Sequence, residues 1–197
     1  MVEHYFSKHP KSEEKIFEIQ VDLDISFKIY SATGLFSKDE LDLGTEVLLK
    51  HLKIQPFWTV LDYGCGNGVL GIYIKLKYPG ITIYATDINE RALKITRMNV
   101  KKFGFENFEV LKVRKILELE NFFDAIYLNP PMAAGFNAIK EMFINAKKML
   151  KPGGVFQIVV RSKKGANSLE KMLYEIFGNV NVSGIKSGFK VLESTKL

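Results

Sequence analysis

The sequence predicts an α/β fold: a mostly parallel sheet with helices on both faces, an antiparallel last strand pair and a β-hairpin extension at the N-terminus. Three observations carry this reading. From Trp58 onward, strand-length apolar runs alternate with segments of helical period. The runs are apolar throughout, as in strands buried on both faces. The last two runs lie too close together for a crossover helix, so that pair must be antiparallel.

The elements follow in chain order. Lys15–Tyr30 holds two alternating segments around a turn candidate at Asp22–Asp24, which predicts a hairpin. Ser31–Ser37 reads as a loop, and Leu43-Gly44-Thr45 opens a helix with Thr45 as cap. Trp58–Tyr63 is the first buried strand, Val69–Leu76 a helix, Thr82–Asp87 a strand, and Asn89–Phe103 a helix capped by Asn89. Phe108–Leu111 and Phe123–Leu128 are strands. Phe136–Leu150 carries the stripe Ile139, Met142, Phe143, Ala146 and Leu150 of a helix. Lys151–Gly154 stops it, and Val155–Val160 is a fifth strand. Ala166–Phe177 is a helix, and Val180–Val182 and Phe189–Leu192 are the late strands, joined around Gly184–Gly188.

Composition excludes several classes. A chain of 197 residues with 47% hydrophobic and 25% charged residues is globular, and it is long enough for one substantial core. Its one cysteine, Cys65, rules out an intrachain disulfide. The N-terminus lacks the apolar segment of a signal peptide, and no run reaches membrane-spanning length, so a cytoplasmic protein without membrane contact is expected. His4, His9 and His51 show no metal-ligand spacing, so no metal is expected. Of the net charge of +6, residues 151–197 supply 8 − 3 = +5. That pattern suits either a solvated lysine-rich surface or a polyanionic partner.

Two motifs carry chemistry. Asp62-Tyr63-Gly64-Cys65-Gly66-Asn67-Gly68 lies between a strand and a helix, where glycines allow a sharp turn and close approach to a ligand. Asp87 ends the next strand, placed to accept ribose hydroxyls. Val69 stands where a dinucleotide fingerprint needs its third glycine, and Asp62 would repel a pyrophosphate. The same carboxylate suits a cofactor with an ammonium and a sulfonium, namely S-adenosylmethionine. Cys65 reads as a small loop residue, because nothing basic beside it would activate a thiolate. The second motif, Asn129-Pro130-Pro131-Met132, ends the fourth strand. Prolines fix the backbone and donate no hydrogen bonds. The Asn129 side-chain oxygen and the Pro130 carbonyl therefore stand as two rigid acceptors for an exocyclic NH₂, which they would orient toward an electrophile.

Asp62–Gly68, Asp87, Asn129–Pro131 and Lys151–Gly154 together resemble a class I S-adenosylmethionine-dependent methyltransferase, in the branch that methylates amino nitrogens. Residues 4–15, Thr33–Ser37, Asp42-x-Gly44-Thr45, Lys163–Leu173 and Phe177–Val180 are similar to the small-subunit ribosomal RNA guanine-N2 methyltransferases and their archaeal relatives. The resemblance covers nearly the whole chain. It implies a Rossmann-like sheet of seven strands, an extension and lid over residues 1–42, and a catalytic domain over 43–197 in one compact unit. It implies catalysis by Asn129 and Pro130. Cofactor contacts would come from Asp62, Gly64, Cys65, Gly66, Asn67, Gly68, Asp87, Ile88, Val113 and Asn129. Substrate contacts would come from Phe36, Pro131, Met132, Phe136, Arg161, Lys163 and Lys164. The expected partner is small-subunit ribosomal RNA.

The chain departs from the family at two places. Leu111–Lys115 has no acid for the adenine amino group, which leaves backbone near Val113. Met132 stands where relatives often have Tyr or Phe, so base stacking could fall to Met132, to Phe136 or to an aromatic within 30–36. Two other functions share the same motifs: glutamine-N5 or adenine-N6 methylation, and a non-catalytic RNA-binding or ribosome-assembly role.

Overall fold

The structure, a computed structural model, describes residues 13–35, 40–163 and 165–197. The hairpin is β1 (Ile16–Asp22) and β2 (Ser26–Ala32), paired antiparallel from Ile16↔Ala32 to Asp22↔Ser26. Ser31 and Ala32, expected in a loop, continue β2 because their partners Phe17 and Ile16 extend the ladder. Helix α1 (Leu43–Leu49) follows. Its cap is Asp42 and not Thr45: the Asp42 carboxylate accepts the Thr45 N–H at 2.9 Å, so Thr45 lies inside the first turn.

Then come β3 (Thr59–Tyr63), α2 (Val69–Lys77), β4 (Thr82–Thr86), α3 (Glu90–Phe103), β5 (Phe108–Val110) and β6 (Phe123–Leu128). Between β5 and β6 a single helical turn, α4 (Val113–Ile116), has no counterpart in the sequence reading. Next are α5 (Phe136–Met149), β7 (Leu150–Arg161), α6 (Ala166–Phe177), β8 (Asn181–Lys186) and β9 (Phe189–Thr195). Lys151–Gly154 does not end the helix as a separate turn. It is a bulge inside β7, where pairing with β6 jumps from Phe123↔Leu150 to Ala125↔Val155. The link between β8 and β9 is only Ser187-Gly188, both at positive φ. Gly184 sits within β8 beside a second bulge, where the His51 ring occupies the space a side chain would need.

The main sheet has seven strands in the order β5-β4-β3-β6-β7-β9-β8, with β3 through β7 parallel and β9 antiparallel to both β7 and β8. Side chains alternate across it. Val60, Ala125, Tyr127, Val155 and Val159 pack on one face with residues of α1, α2 and the hairpin. Leu61, Ile126, Leu128, Phe156 and Ile158 pack on the other with Ile139, Phe143, Leu169 and Leu173 from α5 and α6. The hairpin belongs to the first of these cores, through Ile19, Val21, Phe27 and Ile29. After β5 the chain returns to the far side of β3 to form β6. The carboxyl ends of β3 and β6 therefore flank the crevice where open α/β sheets bind ligands.

Candidate active site

Three strand ends converge on that crevice. β3 delivers the glycine loop. Gly64, Gly66 and Gly68 all have positive φ, of 86°, 57° and 83°. The loop is tied to the end of β4 by the Gly64 and Cys65 N–H groups, both donating to Thr86 O. A methyl group placed on Gly66 would meet nothing within 4 Å, so the loop presents open backbone there. One placed on Gly68 would strike the Thr96 side chain at 2.8 Å, so this glycine serves close packing of loop on α3.

Asp62 is buried and accepts the Gly71 N–H of α2 at 3.1 Å. Burial pushes its carboxyl up to about 7. Asp87, just past β4, accepts the Gly66 N–H at 3.0 Å and the Asn89 N–H at 2.8 Å. Its carboxyl is likewise raised by burial. Ile88 beside it leaves its side chain 56% exposed, an apolar wall next to the carboxylate. Val113 opens α4, and as a first-turn residue its N–H has no partner within that helix.

Two loop residues serve the loop itself. Cys65 packs into the core with Sγ on Thr96 Oγ1 at 3.4 Å, and burial drives its thiol pKa well up, so its side chain is inert. Asn67 Oδ1 accepts the Val69 N–H at 3.2 Å, just ahead of α2, whose cap residue is Gly68.

β6 delivers Asn129-Pro130-Pro131. The Asn129 amide nitrogen donates to Asp42 Oδ2 at 2.8 Å and to Thr45 Oγ1 at 3.1 Å. Among the described residues nothing donates to Asn129 Oδ1 or to the Pro130 carbonyl. Met132 begins a 3-10 turn, Met132–Ala134, and Phe136 starts α5. Both are exposed, at 42% and 46%, and a methyl group on Gly165 would lie 2.9 Å from Met132 Cε and 3.7 Å from Phe136 Cζ. They form one apolar patch against the loop that follows β7.

Basic residues reach the same edge. Arg161 ends β7 with its guanidinium 5.1 Å from the Phe189 ring centroid. Exposed Lys163 follows it, and Lys186 ends β8 beside the Ser187-Gly188 turn that pairs next to Arg161. The rest of the C-terminal charge is engaged elsewhere. Lys151 pairs with Asp124, Lys171 with Glu175 and Lys190 with Glu170, while Lys196 binds Asn121 and backbone carbonyls. Phe36, Lys164, His4 and His9 lie outside the described residues.

Three residues of this site had no site role in the sequence reading. Asp42 and Thr45 stood there as part of a motif, Thr45 also as a helix cap, and Asn99 only within a helix. Asn99, fully buried on α3, accepts the Tyr30 N–H at 2.7 Å and donates to Tyr30 O and Asn67 O, both at 2.9 Å. It locks the hairpin to the glycine loop. The available signal was the run Ala92, Ile95, Thr96, Asn99, which puts two polar residues on the apolar face of a helix.

A parallel sheet with a glycine loop, a strand-end acid and an antiparallel closing pair defines the class I methyltransferase fold. Comparison with known proteins agrees: residues 26–193 match the model of the methyltransferase small domain. The chain belongs to that family and is an S-adenosylmethionine-dependent methyltransferase. Among curated proteins it is 30% identical over 202 residues to the uncharacterized protein YbxB of Bacillus subtilis, covering 100% of both chains. It is 37% identical over 167 residues to the ribosomal RNA small subunit methyltransferase C of Mannheimia succiniciproducens, covering 83% of this chain and 49% of that protein. The chain thus spans about half the length of the relatives that carry that name. Among solved structures, a T. thermophilus 16S rRNA N2 G1207 methyltransferase in complex with AdoMet and guanosine superposes with a TM-score of 0.78 at 24% identity. That match covers 94% of this chain and 51% of the other, and it speaks to the fold. Among the described residues no helix is long and apolar enough to cross a membrane.

Proposed function

We propose that the chain methylates an exocyclic amino nitrogen of an RNA base, guanine N2 in small-subunit ribosomal RNA. The observation that carries this is the pair of unengaged acceptors, Asn129 Oδ1 and the Pro130 carbonyl, on rigid backbone beside the glycine loop. The names of the curated relatives support the small-subunit ribosomal RNA substrate.

The residues of the crevice fit the cofactor. Residues 62–68 contain no lysine or arginine, and Asp62 and Asp87 bring two carboxylates, a set suited to a cation and not to a pyrophosphate. The open backbone over Gly66 leaves room for close approach. When bound, S-adenosylmethionine supplies an electrophilic methyl group on a positively charged sulfur. Asp62 would hold the amino-acid end of the cofactor, Asp87 would accept from the ribose, and Ile88 and the Val113 backbone would flank the adenine.

Asn129 Oδ1 and the Pro130 carbonyl accept the two amine hydrogens and aim the nitrogen lone pair. As the nitrogen gains a methyl it gains positive charge, and both acceptors stabilise that charge. Once alkylated the nitrogen is strongly acidic and its proton passes to water, so no strong base is required. Pro131, Met132 and Phe136 form the apolar ground on which a base can rest. Arg161 and Lys163, with Phe36 and Lys164 as further candidates, contact the RNA. A paired base would have to be flipped out, so a loop or single-stranded target is easier to reach.

The test is incubation with tritiated S-adenosylmethionine and, separately, small ribosomal subunits, stripped ribosomal RNA, DNA and protein. Nucleoside digestion with mass analysis then follows. N2-methylguanosine in the RNA is expected. Label confined to protein glutamine or to DNA adenine would overturn the reading.

A further inference from the structure

Asn129 is held by residues that lie 87 and 84 positions earlier in the chain. Asp42 Oδ2 accepts from Asn129 Nδ2 at 2.8 Å and also from the Thr45 N–H at 2.9 Å. The Thr45 hydroxyl points its one proton toward the same oxygen, at 3.4 Å, and keeps a lone pair for Asn129 Nδ2 at 3.1 Å. Gly44 makes this approach possible: a methyl group there would stand 2.9 Å from Asp42 Oδ2 and 3.0 Å from the Phe189 ring.

An amide has a donor arm and an acceptor arm, whereas an ionised carboxylate only accepts. Beside Asp42 the amide has one permitted orientation. Its NH₂ turns to Asp42 and Thr45, and its oxygen turns to the opposite side.

We infer that Asp42, seconded by Thr45, is a positioning residue for the methyl transfer, setting the Asn129 amide so that Oδ1 and not Nδ2 meets the target amine. The inference rests on Asn129 being the amine acceptor. A flipped amide would present hydrogens to the amine and leave Asp42 without its charge-assisted bond. The carboxylate also polarises the amide, making Oδ1 a stronger acceptor when charge develops on the amine. The cap on α1 and the orientation of Asn129 therefore depend on one oxygen atom.

Three variants separate these two duties. Asp42→Ser keeps a good helix cap but is too short to hold Asn129. Asp42→Asn keeps an oxygen in place. Thr45→Val leaves the cap, which uses only the Thr45 N–H, and removes the hydroxyl. The single-turnover transfer rate to stripped small-subunit RNA should fall at least tenfold in D42S and about threefold in T45V. It should recover at least a third of the wild-type value in D42N. Cofactor affinity and melting temperature should stay close to wild type throughout.

A second readout needs no RNA. In a spectrum with ¹⁵N-labelled asparagine side chains, the resonance missing from Asn129→Ala belongs to Asn129. It should move in D42S and T45V. Wild-type rates together with an unmoved resonance in D42S would overturn the inference while leaving Asn129 as acceptor. If D42S does not fold, the same result in T45V overturns it. An N129A variant as active as wild type would instead remove the reading of Asn129 itself, and the inference with it.

Discussion

On the proposed roles, Asn129 should contribute orientation and Asp87 affinity, and this division can be measured. Asn129→Ala should abolish transfer while leaving cofactor affinity within a few-fold, as isothermal titration would show, because its bonds run to Asp42 and Thr45 and not to the glycine loop. Asp87→Ala should weaken cofactor binding by about 1–3 kcal/mol, since a charged acceptor is lost. Asp62 predicts a pH effect. Its folded carboxyl sits at about 7 against an ordinary value of 3.8, so between those values the folded chain holds a proton that the unfolded chain has released. Its contribution to the ligand-free chain is therefore greatest below about pH 4 and declines as pH rises to about 7. It then stays flat, the total change being at most about 4 kcal/mol. Asp87 acts in the same direction. Asp62→Asn should flatten the profile in urea titrations at several pH values. Cofactor affinity should move the other way, rising as pH climbs toward about 7 and levelling off above it, where the buried carboxylate is ionised to meet the ammonium.

At the scale of elements, the hairpin and the glycine loop are joined through α3. Asn99 spans them with three hydrogen bonds from a fully buried side chain. Arg91 and Asn89, at the start of the same helix, hold Thr33 O and Gly34 O. Asn99→Ala strands the Tyr30 amide and the Asn67 carbonyl and should cost about 1–3 kcal/mol or more. Hydrogen exchange should quicken at Tyr30 and in the loop at 64–68, and leave β7 and β9 protected. Uniform loss of protection would mean that Asn99 supports the core at large and not this joint.

For the whole molecule, the distribution of charge matters more than its sum. Of the eight basic residues in 151–197, Lys151, Lys171 and Lys190 are paired with carboxylates, and a small group reaches the active edge. Arg161 and Lys163 remain there, with Lys186 near by. Replacing Arg161 and Lys163 together by alanine should weaken RNA binding and lower the slope of log K against log salt. The expected drop is about 1.4 for two single-strand phosphate contacts, at roughly 0.7 each. Replacing Lys151 and Lys171 should change that slope little, and an equal effect from both pairs would mean a diffuse basic surface.

The order of elements was legible in the chain because each strand of the parallel sheet is an apolar run and each helix repeats near 3.6. The glycine loop, Asp87 and Asn129-Pro130 were legible because their chemistry is local: a turn, a strand end, a proline-fixed backbone. The errors fell where a distant partner decides. Thr45 is a good cap by type, yet Asp42 takes that place, and Lys151–Gly154 reads as a stop until pairing with β6 makes it a bulge. By itself, then, the sequence determined the fold class and the candidate residues of the crevice, since both depend on neighbours within a few positions. Only the tertiary structure decided how Asn129 is turned, which basic residues of the active edge are, among the described residues, free of ion pairs, and that one buried asparagine ties hairpin to loop. Each of those depends on hydrogen bonds or ion pairs between residues far apart in the chain, and no local pattern encodes them.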